Sequence, residues 1–331
     1  MAENIIKAYK GFNSDLTCRD FQYEIGKEYE VDGKIELCKH GFHACISPLD
    51  VFRYYLLEDE NHNHNLARFC EVELSGEICD ERKNVYCDTK IASSKIKIVK
   101  ELSFYEMLQL CDKWFESNVA QDGLFAKKFI SSFEDFEKIN DDKAPINSCK
   151  VYSCGSPCYI DFKTCENTQI VSRGNTVRIT EGSGINNLII CRGKCAIVES
   201  KGMLDNIIST GDWAQISCKT DSFVVSTGKF ATINGGNECT IYSEGDNASI
   251  TINGDSARVI SLGENANIVC CGKGSKVKAK KGSWITLTEY GFDSTLQRFK
   301  VVSVKTEFVD GERIMADTWY KLFGGEFVET F

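Results

Sequence analysis

The chain has no excess of positive charge and no long apolar segment, and each absence excludes a class of function. Lys and Arg number 39 against 48 Asp and Glu among 331 residues, which gives a net charge of −9. Because non-specific nucleic-acid binding depends on neutralising phosphates with basic side chains, we expect no general nucleic-acid binding. No run of about 18 apolar residues occurs, so we predict no membrane span and no membrane partner.

The first twelve residues lack the continuous apolar core of a secretory signal, since they read M-A-E-N-I-I-K-A-Y-K-G-F. The chain nevertheless contains 17 cysteines. Without a secretory signal, so many cysteines indicate free thiols in a reducing compartment. We therefore expect a cytoplasmic location.

A nine-residue repeat runs from about residue 173 to residue 290. Three successive copies read G-D-N-A-S-I-T-I-N from Gly245, G-D-S-A-R-V-I-S-L from Gly254 and G-E-N-A-N-I-V-C-C from Gly263. Position four is small, position six is branched and apolar, and polar residues occupy positions five and seven. This alternation is typical of a short strand with one buried face. A fixed short period predicts a β-solenoid, in which each repeat buries its apolar face against its neighbours.

The repeat lacks the residues that would give it chemistry of its own. Calcium-binding nonapeptides need G-G-x-G-x-D, and most copies here have neither the Gly-Gly pair nor the paired Asp. No set of successive repeats clearly places acidic pairs on one face, as carbohydrate cleavage would need. The repeat is therefore expected to serve packing.

The predicted fold is mixed. An N-terminal α+β domain spans 1–145, a β-solenoid of nine-residue repeats spans 146–290, and a C-terminal β-hairpin cap spans 291–331. Ser47 followed by Pro48 predicts the start of a short helix. In the cap, the Asp310-Gly311 pair predicts a turn between two strands. Large side chains are expected to cover the open end of the solenoid, namely Trp319, Tyr320 and Phe323.

Several motifs carry a resemblance to a known group of proteins. They read K-A-Y-K-G-F from Lys7, C-R-x-F-Q-Y-E-I-G-K-x-Y from Cys18 and G-F-H-A-C-x-S-P-L-D-V-F-x-Y-Y from Gly41. Over about residues 5–105 the chain resembles an uncharacterised domain of bacteriophage and prophage proteins. The motif V-D-G-x-x-I-x-x-D-T-W-Y-K-L, from Val309, resembles the C-terminal part of similar phage-associated proteins.

This resemblance implies a phage-type protein of the bacterial host cytoplasm. In this hypothesis the N-terminal domain recognises a host or phage protein, such as a defence factor, and needs no cofactor. The solenoid is a rigid scaffold or an oligomerisation element, and its linear repeat and end strands predict a homo-oligomer.

A more distant likeness is to ADP-ribosyltransferase folds, in which a strand ending in Arg-Gly or His-Gly precedes a G-F-x-x segment and a helix. Lys10-Gly11 takes the first place here, His43 to Cys45 the second, and Glu71 or Glu73 the place of the acid. Lys10 departs from the expected Arg or His, and the Ser-Thr-Ser pattern is missing. The likeness implies an alternative function, an enzyme that uses NAD.

Five residues are the candidate catalytic set of that enzyme: Lys10, His43, Tyr54, Glu71 and Glu73. Acid or base chemistry would need a carboxylate beside His43 in a cleft. Since Glu71 and Glu73 alternate with Val72 and Leu74, they could equally be solvent-facing carboxylates on an exposed sheet face.

Two cysteine-rich clusters were weighed as zinc sites, which need four nitrogen or sulfur ligands. The first is Cys38-x-His40-x-x-His43-x-Cys45, whose spacing is unlike that of common zinc modules. Alternate residues of a strand also face opposite sides, which separates potential ligands. The second comprises Cys149, Cys154, Cys158 and Cys165, at the start of the solenoid. We favour structural roles for both clusters and predict no metal site.

Overall fold

The chain forms two compact domains, Met1–Ala126 and Lys127–Phe331. The computed structural model describes residues 4–55, 67–80, 89–118, 127–130, 146–147, 150–153 and 157–330. The boundary that the sequence predicts, at 145, lies outside the described residues. No helix in the described ranges is long and apolar enough to cross a membrane.

The N-terminal domain is built on one five-stranded sheet. Its elements are β1 Ile6–Phe12, β2 Thr17–Cys18, β3 Phe21–Gln22, β4 Glu28–Glu30, β5 Phe42–Cys45, α1 Pro48–Val51, β6 Arg68–Cys79, β7 Lys90–Leu102 and α2 Phe104–Asn118. β1 pairs with β5 on one side and β6 on the other, while β7 pairs with β4, β5 and β6. Because β6 and β7 also pair, the sheet closes on itself.

Apolar residues of β6 and β7 alternate into the core of this domain. Val72 and Leu74 of β6 are fully buried, as are Ile96 and Ile98 of β7, which is the period-two pattern that the sequence predicts. The helix α2 begins after Ser103, whose Oγ accepts a hydrogen bond from the Glu106 amide at 3.2 Å. The Glu106 carboxylate in turn accepts one from the Ser103 amide at 2.8 Å. This reciprocal pair is a capping box.

The segment from Cys18 to Lys39 differs from its prediction. The sequence indicates a half-buried strand up to Val31 and a return strand over 34–39. Instead, β2 and β3 form a two-stranded hairpin and β4 pairs with β7, while residues 34–39 make only one isolated bridge, between Glu36 and His40. Left-handed backbone at Arg19 and Gly26 interrupts the extended conformation that one strand would need, and the Tyr23 ring between them is buried against Phe12.

The solenoid contains two parallel sheets of short strands. The first sheet consists of β8 Lys127–Ile130, β10 Lys150–Ser153, β12 Gln169–Ser172, β14 Leu188–Cys191, β16 Asn206–Ser209, β18 Phe223–Ser226, β20 Thr240–Ser243, β22 Arg258–Ser261 and β24 Lys276–Ala279. The second consists of β9 Ile146–Asn147, β11 Cys158–Glu166, β13 Val177–Ile185, β15 Ile197–Ser200, β17 Gln215–Ser217, β19 Thr232–Gly235, β21 Ser249–Ile252 and β23 Asn267–Cys270. Ile250 pairs with Ile268, two repeats further on. Each coil therefore holds two repeats.

The repeat packs inward as predicted. Ala248, Ile250 and Ile252 hold positions four, six and eight of one repeat and are all buried in the core between the two sheets. The glycine at position one allows the corners to stack. A Cβ on Gly245 would lie 1.8 Å from the carbonyl oxygen of Gly228 in the preceding coil, so no larger residue fits without moving the backbone. The predicted fold class, an α+β domain followed by a β-solenoid, is confirmed.

The first sheet departs from the repeat prediction over β12, β14, β16, β18 and β20, because these strands are buried on both faces. Positions five and seven were expected to be polar and exposed. In β14 and β18 these positions hold Leu188, Ile190, Phe223 and Val225, and all four are buried. Continuous apolar strands of this kind are typical of parallel sheets that are covered on both sides.

A β cap closes the solenoid. β25 Trp284–Asp293 and β26 Arg298–Phe308 form a hairpin at the end of the second sheet, and β27 Trp319–Phe323 and β28 Glu326–Glu329 extend the first. Tyr320 joins the buried core together with Val309 and Ile314, whereas Phe323 is 67% exposed and does not cover the end. The predicted turn at Asp310-Gly311 does not join a hairpin, since β26 pairs with the preceding β25.

Candidate functional site

The N-terminal domain contains a cavity of about 700 Å³ beside β1 and β5, which we call the Lys10 cavity. It brings together three of the five predicted site residues, Lys10, His43 and Tyr54. Aromatic side chains form much of the remaining wall, namely Phe21, Tyr23, Phe42 and Tyr55. A large concave site with an aromatic wall and a few polar groups is the usual form of a ligand pocket.

Lys10 is the most unusual residue of the cavity, since its side chain is charged and the residue is only 6% exposed. Its Nζ donates to the carbonyl oxygen of His43 at 3.0 Å and lies 3.3 Å from Cys18 Sγ. The ammonium also lies over the rings of Phe12 and Tyr23, 5.4 and 5.8 Å from their centroids. Within the described part of the chain, no carboxylate forms an ion pair with it.

A close contact between β1 and the segment after α1 shapes the adjacent wall. A Cβ on Gly11 would lie 2.3 Å from Tyr55 Cβ, so glycine is required for this approach. The contact places the Tyr55 hydroxyl 2.8 Å from Cys18 Sγ. Cys18 therefore receives hydrogen bonds from both Tyr55 and Lys10.

Buried polar contacts hold α1 against the beginning of β7. Asp50 Oδ2 accepts hydrogen bonds from the amide and the hydroxyl of Thr89, at 2.9 and 2.8 Å. The Ser47 amide donates to the same hydroxyl at 2.7 Å. These hydrogen bonds join the segment before Tyr54 to Thr89, the residue before Lys90. Lys90 Nζ lies 4.2 Å from the centroid of the Tyr54 ring.

His43 is held as a neutral acceptor. Its Nε2 accepts a hydrogen bond from the Cys38 amide at 2.8 Å. Burial lowers the pKa of His43 to about 4, and the positive charges of Lys10 and Lys90 contribute to this shift. The imidazole is therefore uncharged at neutral pH.

The charges around the cavity are predominantly positive. The lining cations are Lys10, Arg19, Lys39 and Lys90, and the lining carboxylates are Asp20 and Glu30. Glu30 lies 3.5 Å from Lys95, a residue that does not line the cavity. Lys39 in turn lies 3.2 Å from Glu36. The lining is net positive, and a concave surface with an excess of one charge favours ligands of the opposite sign.

The structure does not bring the two predicted acids, Glu71 and Glu73, into the cavity. Both acids lie on β6, where they alternate with the buried Val72 and Leu74. Their side chains therefore point away from the core. Glu71 pairs with Lys7 at 2.9 Å, and Glu73 lies 3.8 Å from Lys97. Glu73 corresponds to the solvent-facing alternative that the sequence left open, whereas Glu71 is half-buried beside Lys7.

The cysteine and histidine clusters differ in their surroundings. Cys38, His40, His43 and Cys45 all line the cavity, but His40 Nε2 is engaged with the carbonyl oxygen of Asp32 at 2.8 Å. Across the described ranges, no group of three or more His, Cys, Asp or Glu side chains is placed to hold a metal. In the second cluster Cys165 is buried in the solenoid core, whereas Cys149 and Cys154 lie outside the described residues.

The lining residues that sequence reasoning missed include Cys18, Arg19, Tyr55 and Lys90. The first three stand in the motifs that carry the resemblance, C-R-x-F-Q-Y from Cys18 and the Tyr-Tyr pair at 54–55. Their presence in these motifs was the signal that could have identified them. Lys90 lies in no motif, and only its position at the start of β7 brings it to the cavity.

Comparison with known proteins finds a family model that matches part of the chain. Residues 6–110 match a family model described as a domain of unknown function (DUF7666). This range overlaps the residues that carry the N-terminal motifs and contains every residue lining the Lys10 cavity. No curated protein and no solved structure matches the chain. The family description states no activity, so the function must be argued from the site.

Proposed function

We propose that the N-terminal domain is a binding domain whose Lys10 cavity takes an anionic ligand that carries a planar ring, of the nucleotide class. The buried Lys10 ammonium is the observation that carries the proposal. Removing a charge from water costs several kcal/mol unless an opposite charge or strong hydrogen bonds replace the solvent. The described chain supplies a carbonyl and a thiol to this ammonium and no carboxylate, so an anionic ligand would complete the site.

The other lining residues support the same ligand class. Arg19 and Lys90 can neutralise further negative charge, and Arg in particular matches phosphate geometry. Tyr23, Phe42 and Tyr54 offer ring faces and edges to a planar group. A nucleotide combines both features.

An NAD-dependent transferase is the second proposal. The meeting of Lys10, His43 and Tyr54 in one cavity favours it, because the likeness to ADP-ribosyltransferases implied Lys10 and His43, and Tyr54 belongs to the same candidate catalytic set. The position of Glu71 and Glu73 favours binding over transfer, since neither acid lines the cavity and both are paired with lysines.

In either proposal the solenoid serves as a scaffold. Its interior is filled by small and branched apolar side chains, and the cap closes its end. We retain the phage-type role in the host cytoplasm as part of the proposal. In this role the N-terminal domain recognises a host or phage protein, either with or without a ligand in the Lys10 cavity. The resemblance of the motifs is its support.

A binding experiment tests the proposal. We expect isothermal titration calorimetry with NAD, ADP-ribose and ATP to detect binding of at least one of them to the full chain. Lys10→Met should weaken that binding by about 10–100-fold, as expected for the loss of a charged hydrogen bond worth about 1.5–3 kcal/mol. Lys7→Met is the matched control, because Lys7 lies on the same strand but is exposed and does not line the cavity.

Two results would contradict the binding proposal: no heat with any anionic nucleotide, or equal losses for the two variants. The transferase proposal has its own assay. Labelled NAD is incubated with the full chain and a host lysate, and wild type is compared with His43→Ala and Glu73→Ala. Transfer that depends on His43 would support an enzyme, while absence of both transfer and NAD hydrolysis would exclude it.

A further inference from the structure

The hairpin of β25 and β26, here called the terminal hairpin, exposes an unusual amount of apolar surface. Of the large apolar side chains that are exposed among the described residues, half lie between Trp284 and Val328. On β26 alone, Phe299, Val302 and Val304 are 50%, 53% and 59% exposed. Concentrated apolar surface of this kind marks an interaction site on soluble proteins.

The backbone of β26 is available for pairing as well. β26 is the last strand of the ten-stranded sheet, and within the described residues no strand lies on its outer edge. It is eleven residues long and contains no proline. Proteins usually protect an edge by shortness, proline, charge or a bulge. β26 has charged residues near its two ends and one bulge, at Val302, and its middle is apolar.

We propose that β26 pairs with β26 of a second copy of this chain, antiparallel and about a two-fold axis. Such pairing would join the second sheets of two solenoids into one continuous sheet. The same surface would serve in both copies, and the dimer would be closed.

The charges of the terminal hairpin favour a second copy over a charged partner. The chain carries a net charge of −9, yet the hairpin has equal numbers of acids and bases, Glu289, Asp293 and Glu307 against Arg298, Lys300 and Lys305. These charges are already engaged within the same domain. Asp293 pairs with Lys300 at 2.9 Å, Glu307 pairs with Arg313, and Glu289 accepts the amides of Gly324 and Gly325. Two such surfaces meet without net repulsion.

Charge also selects a register for the pairing. With the two-fold axis at Val304 and the bulged Val302 left unpaired in each copy, Phe299 lies opposite Phe308 of the second copy, and Lys300 lies opposite its Glu307. A shift by two residues would place Lys300 opposite Lys305, and like charges directly opposite destabilise a sheet. The first register is therefore the favoured one.

Sedimentation velocity of the full chain between about 1 and 100 µM tests the proposal, a range chosen to span typical weak dimers. We expect wild type to reach twice the monomer mass of 37.1 kDa. Val304→Glu should weaken the dimer at least tenfold, because it places a carboxylate in the new sheet. Val328→Glu is the matched control, since Val328 is an exposed valine on β28, the edge strand of the other sheet.

Hydrogen exchange of wild type provides a test that does not depend on the folding of a variant. The amides of residues 298–308 should become more protected as concentration rises, while those of β28 should not. A monomer at every concentration would overturn the proposal. So would a dimer that survives Val304→Glu, is lost with Val328→Glu, or forms without added protection of β26.

Discussion

A pair of buried carboxyl groups inside the solenoid should make its stability depend on pH. Glu181 and Asp205 are both fully buried. Ser200 Oγ lies 3.0 Å from Glu181 Oε2 and 2.5 Å from Asp205 Oδ2, so its single proton can serve only one of them. Asp205 Oδ1 also accepts the amide and the side-chain nitrogen of Asn187, at 2.9 and 3.1 Å. The pair is therefore best satisfied when Glu181 carries a proton.

The direction and size of the effect follow from the pKa of Glu181. Burial raises this pKa from 4.5 to about 7, and the neighbouring Asp205 carboxylate adds to the shift. The unfolded chain loses the proton near pH 4.5, while the folded chain keeps it until about pH 7. The free energy of unfolding thus falls as pH rises through this window. At about 1.36 kcal/mol per pKa unit, the loss amounts to about 3 kcal/mol.

Glu181→Gln should remove this loss, because glutamine has the same shape and cannot ionise. The variant should melt at about the same temperature as wild type near pH 4.5 and about 6–12 °C higher at pH 8, given about 2–4 °C per kcal/mol for a domain of this size. Thermal unfolding gives the melting temperature, and hydrogen exchange of residues 180–210 identifies which transition is that of the solenoid. Glu238→Gln, at an exposed corner, is the control. An equal pH profile for wild type and Glu181→Gln would refute the reasoning.

Three further changes have defined outcomes. Ser243→Ala should raise the stability of the solenoid by about 1 kcal/mol in urea unfolding, because the buried Ser243 hydroxyl has no hydrogen-bond partner among the described residues. Leu204→Asn should stabilise it by about 1 kcal/mol, since Leu204 is exposed with φ 57° and asparagine tolerates this conformation; Leu204→Ala, which keeps the strain, should show no gain. Gly11→Ala should cost about 1–3 kcal/mol, measured by melting of the N-terminal domain, because its Cβ would overlap Tyr55.

The solenoid could be predicted from the sequence because a repeat presents the same physical requirement many times. Three features recur in the copies: a glycine at the corner, a small residue at position four and a branched residue at position six. Many copies therefore identify the same inward face independently. The burial of the outer face of the first sheet could also have been recognised. Leu188, Ile190 and Val225 occupy positions five and seven, which are polar in most copies of the repeat. Describing the repeat by its commonest residues left these exceptions out.

The site was harder to predict because its residues come from separate segments. Lys10 and His43 could be named from their motifs, yet their contact depends on the pairing of β1 with β5 through Tyr9 and Cys45. Glu71 and Glu73 carry the right chemistry for a catalytic acid, and only the facing of β6 removes them from the cavity. The sequence identifies the residue types. The face of the strand on which each residue lies then decides which of them come together in the cavity.

The cost of keeping Lys10 in the core explains why we assign the chemistry to the N-terminal domain. A neutral side chain of similar length would fill the space between Phe12 and Tyr23 without a desolvation penalty, and replacing buried charges by apolar groups is often neutral or stabilising. The closed sheet and the Gly11–Tyr55 contact instead hold an ammonium inside a cavity lined by other cations. The carboxyl pair in the solenoid is different, because Glu181 and Asp205 have no access to solvent and can act only on stability. Of the buried charged residues that the structure describes, only Lys10 lines the cavity and so faces a space that a ligand can enter.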